Sequence, residues 1–323
     1  MTAQATRAGI AVPSEGRRTV PSQRRARRLA PYLFLSPAMV LFAAFLALPI
    51  GYAVYLSFRA VRVSGLGLGK GSRTEVWAGF SNYVRSLGDP EFLASVGRVG
   101  VYGLLVVPTM LGLALLFALM IDSRRARARG FSRISIFLPY AVPAVISSLL
   151  WGFLYLPAVS PFYYAFEKAN WSVPNLLSSD LVIFAVANIA VWGGVGFNMV
   201  VIYTALKAIP TDLYEAAKLD GCSETAIALR IKIPMVMPSL IMTFVFSMIA
   251  TLQVFAEPVT LRPLTNTIST TWTPLMKVYR DAFIRNDIYS AAATSVVIAL
   301  ATFALSFGFL RLVQSRAFSQ EKS

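Results

Sequence analysis

The string from Ser64 to Ser72, with Gly65, Gly67, Gly69 and Gly71 around Lys70, comes nearest to chemistry in this sequence, because glycines leading to a lysine are how phosphate-cradling loops are built. The pattern fails at two positions. Gly71 follows Lys70 where a Ser or Thr should hold magnesium, and Ser64 stands where the first glycine belongs. A flexible glycine-rich connection is the better reading. Other bond-making chemistry has few residues to use. The chain has no histidine, so the commonest general base and a frequent metal ligand are both missing, and the single cysteine, Cys222, excludes an intramolecular disulfide. Binding residues remain. Glu215, Ala216, Ala217 and Gly221 lie in one polar stretch, while Trp192, Gly194, Phe197, Asn198, Ser247 and Thr251 lie in two apolar ones.

The elements that must position these residues are membrane spans. Of 323 residues, 56% are hydrophobic and 14% charged, against roughly 25% charged in an average soluble domain. A bilayer core about 30 Å thick needs about 20 apolar residues in a helix. Six runs free of Asp, Glu, Lys and Arg meet that length: 32–58, 99–121, 134–157, 181–206, 235–256 and 288–310. Buried helices of a large soluble protein would rarely give six such runs. The chain is therefore read as an all-α membrane protein with six transmembrane helices. Pro49, Pro108, Pro139, Pro143 and Pro238 fall inside runs, where they kink helices around a pathway or reflect the ordinary frequency of proline in membrane helices.

Charge gives an orientation. The net charge of +15 is unevenly placed, with 19 of the 30 basic residues in segments that lie on one side if the N-terminus is cytoplasmic. The positive-inside rule then puts both termini in the cytoplasm of a multi-pass cell-membrane protein. Three regions are expected: an Arg-rich disordered arm over 1–31, a permease domain over 32–312 and a cytoplasmic tail over 313–323. The arm lacks the apolar core of a cleavable signal.

Between the fourth and fifth runs, residues 207–234 predict two short helices. Pro210 ends the preceding helix, Thr211 or Asp212 can cap the next, and Asp212 with Glu215 has capping-box spacing. Gly221 supplies a left-handed stop, and Ser223 caps a second helix running to Pro234. Leu213, Ala216 and Ala217 share a face whose small side chains let another backbone approach closely. A DNA-reading helix-turn-helix has the same outline, but the tether to spans at both ends leaves little room for DNA. A helix lying on lipid would carry bulkier apolar residues.

Glu215-Ala216-Ala217, Gly221, Ile231 and Ile233-Pro234, at these spacings, resemble the EAA loop of binding-protein-dependent ABC importer permeases, with Ile233 where leucine is usual. The resemblance narrows to carbohydrate permeases of the maltose and glycerol-phosphate type through Pro31 to Pro37, Leu48 to Ile50, Leu56 to Phe58, Gly79 to Tyr83, Asp89 to Phe92, Phe137 to Pro143 before Trp151, and Tyr289 to Ser295. It implies a type I ABC importer permease fold, a second permease subunit forming a heterodimer, a cytoplasmic ATPase dimer, an extracytoplasmic solute-binding protein and a sugar substrate. It implies no cofactor, no metal and no nucleic acid, with ATP hydrolysis on the partner and none on this chain. The first loop helix would be the coupling helix, with Glu215 pairing with a basic residue of the ATPase and with Ala216, Ala217, Gly221, Ile231 and Pro234 completing the motif. Gly194, Phe197, Ser247 and Thr251 match positions that the resemblance implies line the substrate cavity. One stretch departs from the family: Glu257 to Thr265 stands where a Thr-Gly-Gly-Pro turn is frequent.

Sugar passage needs hydroxyl-matching hydrogen bonders beside flat apolar surfaces. Trp192, Gly194, Phe197 and Asn198 fall within about two helical turns, and Ser247 and Thr251, four apart, share a face. Gln253 is a further polar candidate on another face. The same small and polar residues also ease helix packing. An ion-coupled secondary transporter is the rival reading, and it would place ionisable relays inside the spans. The six runs contain none, and no recognisable filter points to a channel.

Overall fold

The computed structural model describes residues 22–63, 73–123 and 126–320; the glycine-rich string at 64–72 and residues 1–21 of the expected arm lie outside them. The chain divides into two units, residues 1–52 and 53–323. In the first, helix α1 (Ser22–Phe42) passes through a π-turn at Ala43–Ala47 into α2 (Leu48–Ser57). Residues 22–31, expected within the disordered arm, are thus helical. The π-turn has a local cause. Pro49 has no N–H and its ring crowds the carbonyl four residues back, and the wider turn, closed by the Leu48 amide on the Ala43 carbonyl, absorbs the misfit without ending the helix.

In the second unit, β1 (Arg59–Val63) and β2 (Arg73–Trp77) form an antiparallel hairpin with Arg59 opposite Trp77. These are the only strands among the described residues, and they are an addition to the expected helical fold. Helix α3 (Ser81–Leu87) follows, and the Asn82 amide donates to the Ser57 and Arg59 carbonyls, fixing α3 against the root of the hairpin. Helix α4 (Pro90–Asp122) starts well before the expected span. Its start is specified by Pro90, which needs no intrahelical donor, and by Asp89, whose carboxylate accepts the Glu91 amide at 2.9 Å.

The third apolar run is not one straight helix. It divides into α5 (Arg129–Phe137), a 3₁₀ turn (Leu138–Ala141) and α6 (Ala144–Tyr155), bent by 97°. Proline chemistry explains the break. Val142 precedes Pro143 and is pushed into extended backbone (φ −81°, ψ 126°), as a residue before proline must be when the ring would clash with a helical neighbour. Taken as one broken span, α5 and α6 bring the number of candidate spans to six.

The remaining helices are α7 (Pro161–Lys168), α8 (Val182–Lys207), α9 (Thr211–Leu219), α10 (Glu224–Ile227), α11 (Ile233–Leu252), α12 (Ala256–Leu261), α13 (Pro274–Tyr279) and α14 (Ile288–Gln320). The expected tail from 313 is a continuation of α14, which passes through Gly308 and meets no further glycine or proline between 309 and Gln320. Pro108 and Pro238 are carried inside α4 and α11 without ending them. The core sits between α4 and α8, where Tyr102, Val106 and Ala114 share one buried cluster with Val186, Met199 and Ile202. Close approach needs glycine at one place above all. A Cβ on Gly196 would lie 2.3 Å from the Ile136 carbonyl oxygen, so the backbones of α5 and α8 touch there.

An ionic cluster, buried at Lys277, Arg280 and Asp281 and open to solvent at Glu91, joins the segment before α14 to the start of α4. Lys277 pairs with Asp281 at 2.6 Å and Asp89 at 3.1 Å, and Arg280 with Glu91 at 2.6 Å and Asp281 at 3.0 Å. Each cation thus meets two anions, which offsets the cost of removing the charges from water.

Candidate functional site

The loop after α8 is built as a short helix with a fixed end. Pro210 occupies the position before α9 with extended ψ and no side chain caps the helix, so the capping expected from Thr211 or Asp212 is not formed. Thr211 is already inside the first turn. Asp212 lies there too, where its charge faces the positive end of the helix dipole. The end of α9 matches the expectation. Gly221 has φ +79°, the Cys222 amide donates to the Ala217 carbonyl at 2.9 Å and the Gly221 amide to the Lys218 carbonyl at 3.0 Å, which is the Schellman pair of bonds. Lys218 reaches across the turn to Glu224 at 2.6 Å, and the Ser223 hydroxyl accepts the Ala226 amide, capping α10 as expected.

The second loop helix does not stop at Pro234. It passes through a π-turn at Ala228–Lys232, closed by the Ile233 amide on the Ala228 carbonyl, directly into α11. The arrangement repeats that before Pro49, with a wide turn placed so that the ring meets no carbonyl. Any displacement of α10 is therefore applied to α11 through continuous helix.

Burial sorts the residues expected on α9. Ala217 faces inward with Tyr214, whereas Ala216, Leu213 and Glu215 face outward. Leu219 also faces outward, 90% exposed, and was not singled out by sequence because it lies beyond the three-residue motif. The outward face thus presents two leucines, a small alanine and the Asp212 and Glu215 carboxylates. On the inward side the Lys232 ammonium lies over the Tyr214 ring, 4.9 Å from its centroid. Lys232 also bonds to Asp122 at 2.6 Å, and Lys207 to the other oxygen of Asp122 at 2.8 Å. Burial, and secondarily the Asp122 charge, pushes the Tyr214 hydroxyl above its ordinary pKa. One carboxylate therefore ties the ends of α4, α8 and the helix leading into α11 beneath α9.

Above this knot a cavity of about 780 Å³ opens between α4, the α5–α6 bend, α8, α11 and α12. Gly194, Phe197, Asn198, Ser247, Thr251 and Gln253 all line it. Trp192 does not. It turns toward α6 and meets Trp151 edge-on at 5.9 Å. The bend supplies a wall that sequence did not foresee: Tyr140 stacks on Phe197 with ring centroids 5.0 Å apart, giving a paired aromatic surface. At the floor the Asn198 amide donates to the Gly194 carbonyl at 2.9 Å and to the Met110 sulfur at 3.2 Å, and Ser247 Oγ donates to Asn198 Oδ1 at 3.4 Å. Gly194 leaves the room that Met110 fills, because a Cβ there would lie 2.5 Å from Met110 Cε.

Glu257 also lines the cavity. Sequence reading passed over it because the fifth charge-free run ends at Ala256, one residue earlier. The signal available was the departure beginning at Glu257 itself. No cluster of His, Cys, Asp and Glu suited to a metal occurs among the described residues.

Comparison with known proteins agrees with this arrangement. A family model described as binding-protein-dependent transport system inner membrane component matches residues 110–319. The sn-glycerol-3-phosphate transport system permease protein UgpA of Agrobacterium fabrum is 28% identical over 292 residues, which cover 90% of this chain and 96% of that protein. UgpA of Brucella abortus is 29% identical with the same coverage. Among solved structures, a bacterial alginate ABC transporter in complex with alginate pentasaccharide-bound periplasmic protein has a chain that superposes with a TM-score of 0.75. The match covers 89% of this chain and 94% of that one at 19% identity, a likeness of fold.

Proposed function

This chain belongs to the binding-protein-dependent transport system inner membrane component family, and from that membership we propose that it forms the solute path of an ATP-driven importer for a sugar or sugar-like solute. It is a multi-pass permease subunit, a transport component. On the proposed reading a second permease completes the path, a cytoplasmic ATPase dimer hydrolyses ATP, and an extracytoplasmic binding protein delivers the solute. Both termini and the α9 loop face the cytoplasm, in keeping with the surplus of basic residues there. The names of the relatives, sn-glycerol-3-phosphate permeases and an alginate transporter, support a polyhydroxyl solute.

The single observation that carries the coupling mechanism is the outward face of α9 set on the Asp122 knot. Leu213, Ala216 and Leu219 offer an apolar surface of the size a cleft could cover, and Glu215 stands at its margin as an anion for a basic partner residue. When the ATPases close, force on α9 passes to α10 and through continuous helix to α11, and through Lys232, Asp122 and Lys207 to α4 and α8. Those helices wall the cavity, so its access changes with the nucleotide state. Glu215, Ala216, Ala217, Gly221, Ile231 and Pro234 are the proposed coupling residues. Gly194, Phe197, Asn198, Ser247 and Thr251 are the proposed pathway residues.

The test is reconstitution of this chain with its neighbouring permease, ATPase and binding protein in liposomes. Uptake is expected only with ATP, and replacing Glu215 and Gly221 together by Ala should abolish uptake and stimulated ATP hydrolysis while leaving membrane insertion intact. Full uptake by the double variant refutes the coupling role. A carboxylate at the cavity, Glu257, is the one observation that favours an ion-coupled carrier; uptake by this chain alone under an ion gradient, without ATP, would establish that second reading instead.

A further inference from the structure

We propose that Glu257 makes the wall of the cavity electronegative and thereby selects an uncharged or cationic polyhydroxyl solute over an anionic one, an assignment that rests on the import reading above. The composition of the walls is the first ground. Among the described residues that line the cavity there is one carboxylate, Glu257, and no Lys or Arg. Among the described residues no basic side chain pairs with it. The strongly paired cations of this chain are committed elsewhere: Lys207 and Lys232 to Asp122, and Lys277 and Arg280 to the Asp89, Glu91 and Asp281 cluster.

The chemistry of recognition is the second ground. Side-chain binding of a phosphate or uronate relies on Arg or Lys forks, and among the described residues that line this cavity there is neither. Sugar hydroxyls donate well to a carboxylate, and the pyranose face rests on aromatic rings. The stacked Tyr140 and Phe197 provide such a face beside the amides of Asn198 and Gln253. A single unneutralised charge within roughly 10 Å, at an effective dielectric near 20, shifts the local concentration of a monovalent ion by about tenfold. Relatives of this chain are named for sn-glycerol-3-phosphate, an anion; the wall that this chain contributes has no basic side chain to meet one.

The charge of the cavity can be read without knowing the solute. In membranes holding the complete transporter, Cys222→Ser removes the thiol of this chain and Gln253→Cys places one on the cavity wall. Its rates of reaction with the cationic trimethylammonioethyl and the anionic sulfonatoethyl methanethiosulfonates are then followed by the mass shift of this chain. Relative to a free thiol in water, the ratio of cation to anion rates is expected to rise by about a hundredfold, from tenfold enrichment of the one and tenfold depletion of the other. Adding Glu257→Gln should bring the ratio close to that of the free thiol, and Glu257→Asp should preserve it. A ratio unmoved by Glu257→Gln, a preference for the anion, or no reaction with either reagent would overturn the proposal. Thiol reactivity requires no transport, so these outcomes are separate from ATP-driven uptake, which tests the import reading itself.

Discussion

The Lys232 ammonium stands 2.6 Å from a carboxylate oxygen of Asp122, a residue 110 positions earlier, and both side chains are almost closed to solvent. Breaking a buried pair by removing one partner leaves the other charge uncompensated, at about 3–5 kcal/mol. Asp122→Asn should therefore lower the melting temperature of the detergent-solubilised transporter by several degrees and reduce uptake with it. Lys207 is half-exposed, so Lys207→Ala should cost less than about 1 kcal/mol. Equal losses in the two variants, measured by thermal unfolding, would show that Asp122 does not depend on Lys232.

Gly221 is required for its backbone and not for space. Its φ is +79°, and a Cβ there would meet nothing within 4 Å. Gly221→Ala should cost about 1–2 kcal/mol from the left-handed conformation alone, and Gly221→Asn clearly less. The check is ATP-driven uptake with the three residues at equal expression, expected in the order Gly, Asn, Ala. If Ala matches Gly, the left-handed turn is not used.

Two glycines on α8 should respond in opposite ways. At Gly196 the added methyl collides with the Ile136 carbonyl, so Gly196→Ala must separate α5 from α8, at about 1–3 kcal/mol or more. Gly193 lines the cavity and has open space where its Cβ would be. Gly193→Ala should leave the melting temperature within about a degree of the parent, consistent with the small effects of substitutions in open positions, and alter only uptake kinetics. Thermal unfolding of both variants decides this.

Acid should release Asp89. Burial alone would raise its pKa, but the bond from Lys277 and the amide of Glu91 outweigh burial and leave the carboxyl below its ordinary value. A carboxylate depressed in the folded state stabilises fully above its unfolded value, near pH 3.9, and the contribution disappears as pH falls through the lower folded value. Asp89→Asn should thus melt earlier than the parent at pH 7, by the equivalent of about 1 kcal/mol, and the gap should close below about pH 4. A gap that stays at its full pH 7 size as far as pH 3 would assign the effect to the helix cap.

Runs without charge made the spans legible, since length and composition alone decide whether a helix can cross a bilayer. Gly221 and Ser223 were legible for a similar reason: each acts within a few residues of its own backbone. What sequence could not supply was set by contact between distant segments. Asp122 reads as a loop-end charge until Lys207 and Lys232 converge on it. Pro139 and Pro143 read as kinks, and only the extended Val142 turns them into a right-angled corner with Tyr140 on the cavity. Trp192 was grouped with Gly194 and Phe197 by position, yet one helix carries several faces and its indole belongs to the α6 side.

The contact of Gly196 with Ile136 has a mechanical meaning. Where two helices meet through long side chains, rotamers can shift and soak up part of a displacement. Here backbone rests on backbone, and close-packed matter of this kind is nearly incompressible. The junction acts as a stiff yoke: when α8 moves, Tyr140 and the corner behind it must travel with it. On the proposed mechanism the solute path is then reshaped by rigid pieces turning together, with little of the work delivered at the loop lost to soft deformation on the way.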